Sequence, residues 1–164
     1  MTGTVTAQHQ QRSQQENRHQ PIVSNDLKKA SKMTLITPVK SLVAAAKNET
    51  IVVSPQQAFE KQQAHTAVLI DIRDIRELQR EGRIDGAFHA PRGMLEFWVD
   101  PDSPYARDVF QSGKRFVFFC AGAMRSALAA QSVQTMGLTP VCHMAGGYAQ
   151  WKKQGFPTET KEKK

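Results

Sequence analysis

Cysteine is scarce in this sequence. Only Cys120 and Cys142 occur among 164 residues, so no disulfide framework can hold the chain. In a reducing compartment both would be thiols. Long hydrophobic runs are also missing: no stretch of about 18 apolar residues occurs, and no membrane contact is expected. The opening MTGTVTAQHQQRSQQENRHQ has no apolar signal core, which makes a cytoplasmic location the expectation. The histidines at 9, 19, 65, 89 and 143 show no metal-ligand spacing, so no metal is inferred, and no bound cofactor is expected.

Acidic residues are outnumbered, and the formal charge is +7. The excess lies in the termini. Before Glu49 seven basic residues face two acidic ones, whereas residues 49–158 carry twelve and eleven. No aromatic residue is interleaved with the terminal charge, as a stacking platform for single strands requires, so no nucleic-acid partner is expected.

Residues 1–32 are Gln-, His- and Ser-rich and hold too little apolar surface to offset the entropy of ordering; they read as a flexible basic tail, with Met33 a candidate natural start. Residues 33–50 read as a helical extension, 51–158 as one domain and 159–164 as a charged tail. In the extension, Thr37-Pro38 opens a helix with Val39, Leu42, Val43 and Ala46 along one stripe, fit to pack on the body or on a second copy as a homodimer.

Within the domain, five short apolar stretches read as strands: IVVSP, AVLIDI, GAFHAP, RFVFFC and PVCHMAGG. Between them lie helical patterns in QQAFEKQQA, DIRELQREG, RGMLEFWVD, SPYARDVFQSG and SALAAQSVQTMG, and YAQWKKQGFP closes the series. Strands alternating with helices, and runs such as AVLIDI without polar alternation, predict an α/β fold: a central, mainly parallel five-stranded sheet with helices on both faces. Ligands of such sheets sit beyond the carboxyl ends of the strands, where Cys120 ends RFVFFC.

The loop CAGAMRS, residues 120–126, is chemically suggestive. Ala121, Gly122 and Ala123 are small enough for a tight curl that leaves backbone amides uncovered, and a helix N-terminus follows. Arg125 adds a fixed charge. Amides and helix terminus together would favour a sulfur anion, since one charge-assisted hydrogen bond is worth roughly 1.5–3 kcal/mol. The plainer alternative is a cysteine that packs as a small hydrophobe at a strand end.

VLIDIRDIREL, GRIDGAFHAP, FVFFCAGAMRSALAA and VCHMAGGYAQWKKQGFP follow one another across about residues 51–157 and together resemble the single-domain rhodaneses, the thiosulfate sulfurtransferase family. The resemblance implies a rhodanese-like fold with the nucleophilic cysteine heading a tight loop. It implies that the thiolate attacks the outer sulfur of thiosulfate, that sulfite leaves, and that a persulfide then passes sulfur to cyanide or a thiol. Carried onto this chain, Cys120 is the sulfur carrier. The amides of Ala121, Gly122, Ala123, Met124 and Arg125 hold the charged persulfide, and Arg125 draws the small anionic donor.

Many relatives place glycine three residues after the cysteine, where this chain has Ala123. If that position is left-handed, alanine costs about 1 kcal/mol there. Cysteine-based phosphatases are similar but separate Cys from Arg by five residues, usually with His before the Cys; here four residues separate them and Phe119 comes first. A sulfur-relay or non-catalytic binding module is the further alternative. Cys142, inside VCHM, reads as a core thiol rather than a resolving partner. Asp71 and Arg73 read as orienting residues, His89 and His143 as structural, Arg92 as a second cation for the donor, and Phe97, Trp98 and Met124 as candidates for the pocket mouth.

Overall fold

The computed structural model describes residues 35–160; the sequence-assigned tail 1–32, the candidate start at Met33 and residues 161–164 lie outside the described residues. The elements are α1 (Val39–Glu49), β1 (Ile51–Val53), α2 (Pro55–Gln63), β2 (Ala67–Asp71), α3 (Ile75–Glu81), β3 (Arg83–Ile84), β4 (Phe88–His89), α4 (Leu95–Val99), β5 (Arg115–Phe119), α5 (Met124–Thr135), β6 (Val141–Met144), α6 (Gly147–Lys153) and β7 (Thr158–Glu159). Strands β1-β6-β5-β2-β4 form one sheet in that order, and every pairing in it is parallel. The α/β architecture read from the strand–helix alternation is therefore the one the chain adopts.

The missing polar alternation in β5 has a direct cause. Phe116 and Phe118 face a core containing Ile70, Leu95, Ala130 and Val133, whereas Val117 and Phe119 face one containing Ala58, Cys142, Tyr148 and Trp151. Helices α4 and α5 cover the first face, and α2 and α6 the second. Burying each of these phenylalanines contributes about 1.5–3 kcal/mol. Cys120 continues the Phe116–Phe118 face and so arrives under α5.

Two expectations are corrected. SPYARDVFQSG is not a regular helix: only a single 3-10 turn forms, at Asp108–Gln111. The Ser103 side chain accepts from the Tyr105 amide, and the Arg107 amide bonds back to the Trp98 carbonyl, which takes both amides out of helical register. GAFHAP contributes only Phe88–His89, paired with Ile70 and Asp71 at the sheet edge. Of the α1 stripe, Val43 and Ala46 are buried, whereas Val39 and Leu42 stay exposed. A small antiparallel ribbon, β3 with β7, had no sequence signal; it pairs Arg83 with Glu159, the first residue assigned to the charged tail.

Candidate active site

The loop after β5 is held from below by α6. The Tyr148 amide donates to the Cys120 carbonyl at 2.8 Å, and the Ala149 amide to the Ala121 carbonyl at 3.1 Å. In a trans peptide the next N–H points opposite to the carbonyl, so the amides of Ala121 and Gly122 face away from α6. Gly147 makes this approach possible: a Cβ there would stand 2.3 Å from the Cys120 carbonyl oxygen. Tyr148 is itself anchored, its hydroxyl donating to the Glu81 carbonyl and its ring lying 3.9 Å from the Arg73 guanidinium carbon. Arg73 is fully buried and forked onto Asp71, with Nη2 at 2.7 Å from Oδ2. His89 Nε2 lies 2.8 Å from the Arg73 carbonyl. Buried Asp71 and Arg73, with half-buried His89, thus form a frame for the loop.

Ala123 then turns the chain with φ +74°, a left-handed conformation, into α5. Gly122 is not in that region, and a Cβ on it would meet open space. The glycine therefore stands one position before the residue that needs it. Among the described residues, no protein acceptor takes the amides from Ala121 to Ser126. Those of Met124, Arg125 and Ser126 are the free donors of the first turn of α5, where the helix dipole is positive.

Cys120 is buried, and its thiol donates to Ser126 Oγ at 3.7 Å rather than bonding to a loop amide. Sequence reasoning left Ser126 without a role. Its signal was its place on the buried α5 stripe of Ser126, Ala127, Ala130 and Val133.

Arg125 does not stand free. Its Nη1 and Nη2 donate to Glu77 at 2.7 and 2.8 Å. Arg125 holds the Glu77 carboxyl down at about 2, while Glu77, with a smaller contribution from the Cys120 sulfur, raises Arg125 above the usual arginine range. Glu77 was also missed, although Asp74-x-x-Glu77 is a legible capping box: Glu77 Oε2 accepts from the Asp74 amide at 3.1 Å while it binds Arg125. The second-choice cation is likewise paired, Arg92 Nη1 with Glu96 at 2.8 Å.

Phe97 and Met124 are exposed, and Trp98 packs on Phe88. Met124 lines a cleft of about 370 Å³ together with Val39, Lys40, Val43, Ala44 and Lys47. Cys142 is buried with its thiol on the Phe116 carbonyl, and burial pushes it up. His143 is buried with neither ring nitrogen bonded to a partner among the described residues.

Amides left free in a loop and at a helix N-terminus are donors that an anion can use, and here a cysteine at the carboxyl end of a parallel strand heads them. The rhodanese-like domain family matches residues 54–154, and the chain belongs to it. A Rhodopseudomonas palustris structure, described as a protein of unknown function and possible tyrosine phosphatase, is 44% identical with TM-score 0.75 and covers 79% of this chain and 99% of that one. Thiosulfate sulfurtransferase GlpE of Glaesserella parasuis is 31% identical over 65% of this chain and 91% of its own length. A polysulfide-sulfur transferase homodimer from Wolinella succinogenes is 30% identical with TM-score 0.59, covering 75% of this chain and 88% of that one. The chain spans 60% and 64% of the length of two further curated relatives. Among the described residues no helix is long and apolar enough to cross a membrane.

Proposed function

We propose that this chain is a sulfurtransferase that carries a sulfane sulfur on Cys120 as a persulfide. The sulfur comes from thiosulfate or a similar small anion and goes to cyanide or a thiol. The supporting observation is the run of unused amides from Ala121 to Ser126 in the loop that follows the cysteine. Once the thiol proton has left to solvent, the sulfur anion attacks the donor's outer sulfur. The bond between that sulfur and the rest of the donor breaks, and the electron pair departs with the leaving group. The added sulfur extends from the buried thiolate toward the amides, which neutralise its charge without having to reorganise. Ser126, as the acceptor of the thiol hydrogen, turns to donate to the thiolate. No bound cofactor is needed for these steps.

Phosphatase chemistry is the second reading, favoured by the description of the Rhodopseudomonas relative. Two features weigh against it. The loop puts only four residues between Cys120 and Arg125, and the guanidinium that would grip a phosphoryl dianion is already forked onto Glu77. Intact mass after donor treatment tests the proposal. The expected result is a gain of one sulfur, about 32 Da, that cyanide reverses and that Cys120→Ser abolishes. No gain at neutral pH, or turnover of an aryl phosphate that depends on Cys120, would overturn it.

A further inference from the structure

The sulfurtransferase reading asks Arg125 to receive an anion, yet this arginine already has a carboxylate. Glu77 is bidentate on it, with both contacts below 3 Å, and the capping box of α3 fixes Glu77 in turn. The other cation the sequence offers for the donor, Arg92, is held by Glu96, which also accepts from Ser132 Oγ at 2.6 Å. With the Cys120 sulfur ionised, the cluster of Cys120, Arg125 and Glu77 carries one net negative charge. Two of the five N–H groups of Arg125 are used by Glu77, so the guanidinium still offers directional hydrogen bonds. What it no longer offers is net positive charge.

Resting on the sulfurtransferase reading, we propose that Glu77 is a specificity-determining residue that tunes this site to sulfane-sulfur donors bearing a single negative charge, of the thiosulfonate or persulfide kind, over the dianion thiosulfate. A dianion meets twice the repulsion a monoanion meets from the same cluster. Both donors present the same reaction. The Cys120 thiolate forms the new S–S bond, the old S–S bond breaks, and the electron pair leaves with a sulfinate (from a thiosulfonate), a thiolate (from a persulfide) or the sulfite dianion (from thiosulfate). Charge balances in each case, and no oxidant or reductant is consumed.

Glu77→Gln is a clean test because a glutamine carbonyl can still accept from the Asp74 amide. The protein uses that arrangement at α2, where Gln57 Oε1 accepts from the Ser54 amide at 2.9 Å. Cys120 persulfide formation is followed by mass, and kcat/KM is measured with thiosulfate and with benzenethiosulfonate. The wild type should favour benzenethiosulfonate, and raising salt to about 0.5 M should shift the ratio toward thiosulfate by screening. In Glu77→Gln the thiosulfate-to-thiosulfonate ratio should rise roughly tenfold and lose its salt dependence. Persulfide formation from both donors with a ratio that neither the substitution nor salt moves would overturn the role of Glu77 and leave the sulfurtransferase reading intact. Absence of persulfide with either donor would overturn both. The salt series on the wild-type protein separates the same outcomes without the variant.

Discussion

Ala123 is where backbone chemistry and sequence disagree most sharply. Its φ of +74° is the conformation that side chains resist, while its neighbour Gly122 has a glycine's freedom and does not use it. The turn is kept because both sides over-determine it: α6 fixes the carbonyls of Cys120 and Ala121, and α5 begins at Met124. Ala123→Gly should therefore stabilise the protein by about 1 kcal/mol, which chemical denaturation would read as a higher midpoint at unchanged slope. Gly122→Ala should leave stability nearly unchanged, since its Cβ enters open space. The opposite order of effects would mean that the turn is not left-handed at Ala123.

At the level of elements, the loop after Cys120 depends on α6 as much as on α5. Helix α5 supplies free amides, and α6 spends its first amides on the loop carbonyls. Gly147 permits this, both by its φ of +57° and by the absence of a Cβ that would sit 2.3 Å from the Cys120 carbonyl oxygen. Gly147→Ala should cost at least about 2 kcal/mol from strain and displaced backbone together. It should also slow persulfide formation in whatever fraction stays folded. Thermal unfolding and mass-detected sulfur loading, measured on the same sample, check both effects. A folded variant that loads sulfur at the wild-type rate would show that α6 does not set the loop.

Over the whole molecule, buried or paired groups among the described residues make acid the sensitive side of the stability curve, His143 and Glu77 foremost. Burial lowers His143 below its ordinary 6.5, so between that value and its folded pKa the unfolded chain takes up a proton that the native state refuses. Stability is then level above about pH 6.5 and declines below it. Lys47 pushes in the same direction. Glu77 titrates lower: Arg125 holds it at about 2 against an ordinary 4.5, so its contribution is present above 4.5 and fades as pH falls toward 2. Melting temperature against pH should show both declines. His143→Leu should flatten the first; Glu77→Gln should lessen the second, to which paired Asp74 and Glu96 also contribute, and a wild-type curve level down to pH 4 would refute the His143 part.

Strand–helix order, the two-sided burial of β5 and the place of Cys120 at the strand's carboxyl end were all legible from local pattern. Each follows from residue type at short range: apolar runs of strand length, capping residues, and a small-residue loop before a helix. The 3-10 turn at Asp108–Gln111 escaped because a long-range bond, Arg107 to Trp98, overrode a local helix signal. Glu77 and Ser126 escaped for a related reason. Forty-eight positions separate Glu77 from Arg125, and only the fold, which brings the first turns of α3 and α5 within reach of one ion pair, joins them. The sequence alone thus determined where the Cys120 thiol stands, at the carboxyl end of a strand and ahead of a helix, because that follows from residue types at short range. The charge around that thiol was decided by tertiary structure, because opposite charges cancel only where the fold brings them into contact.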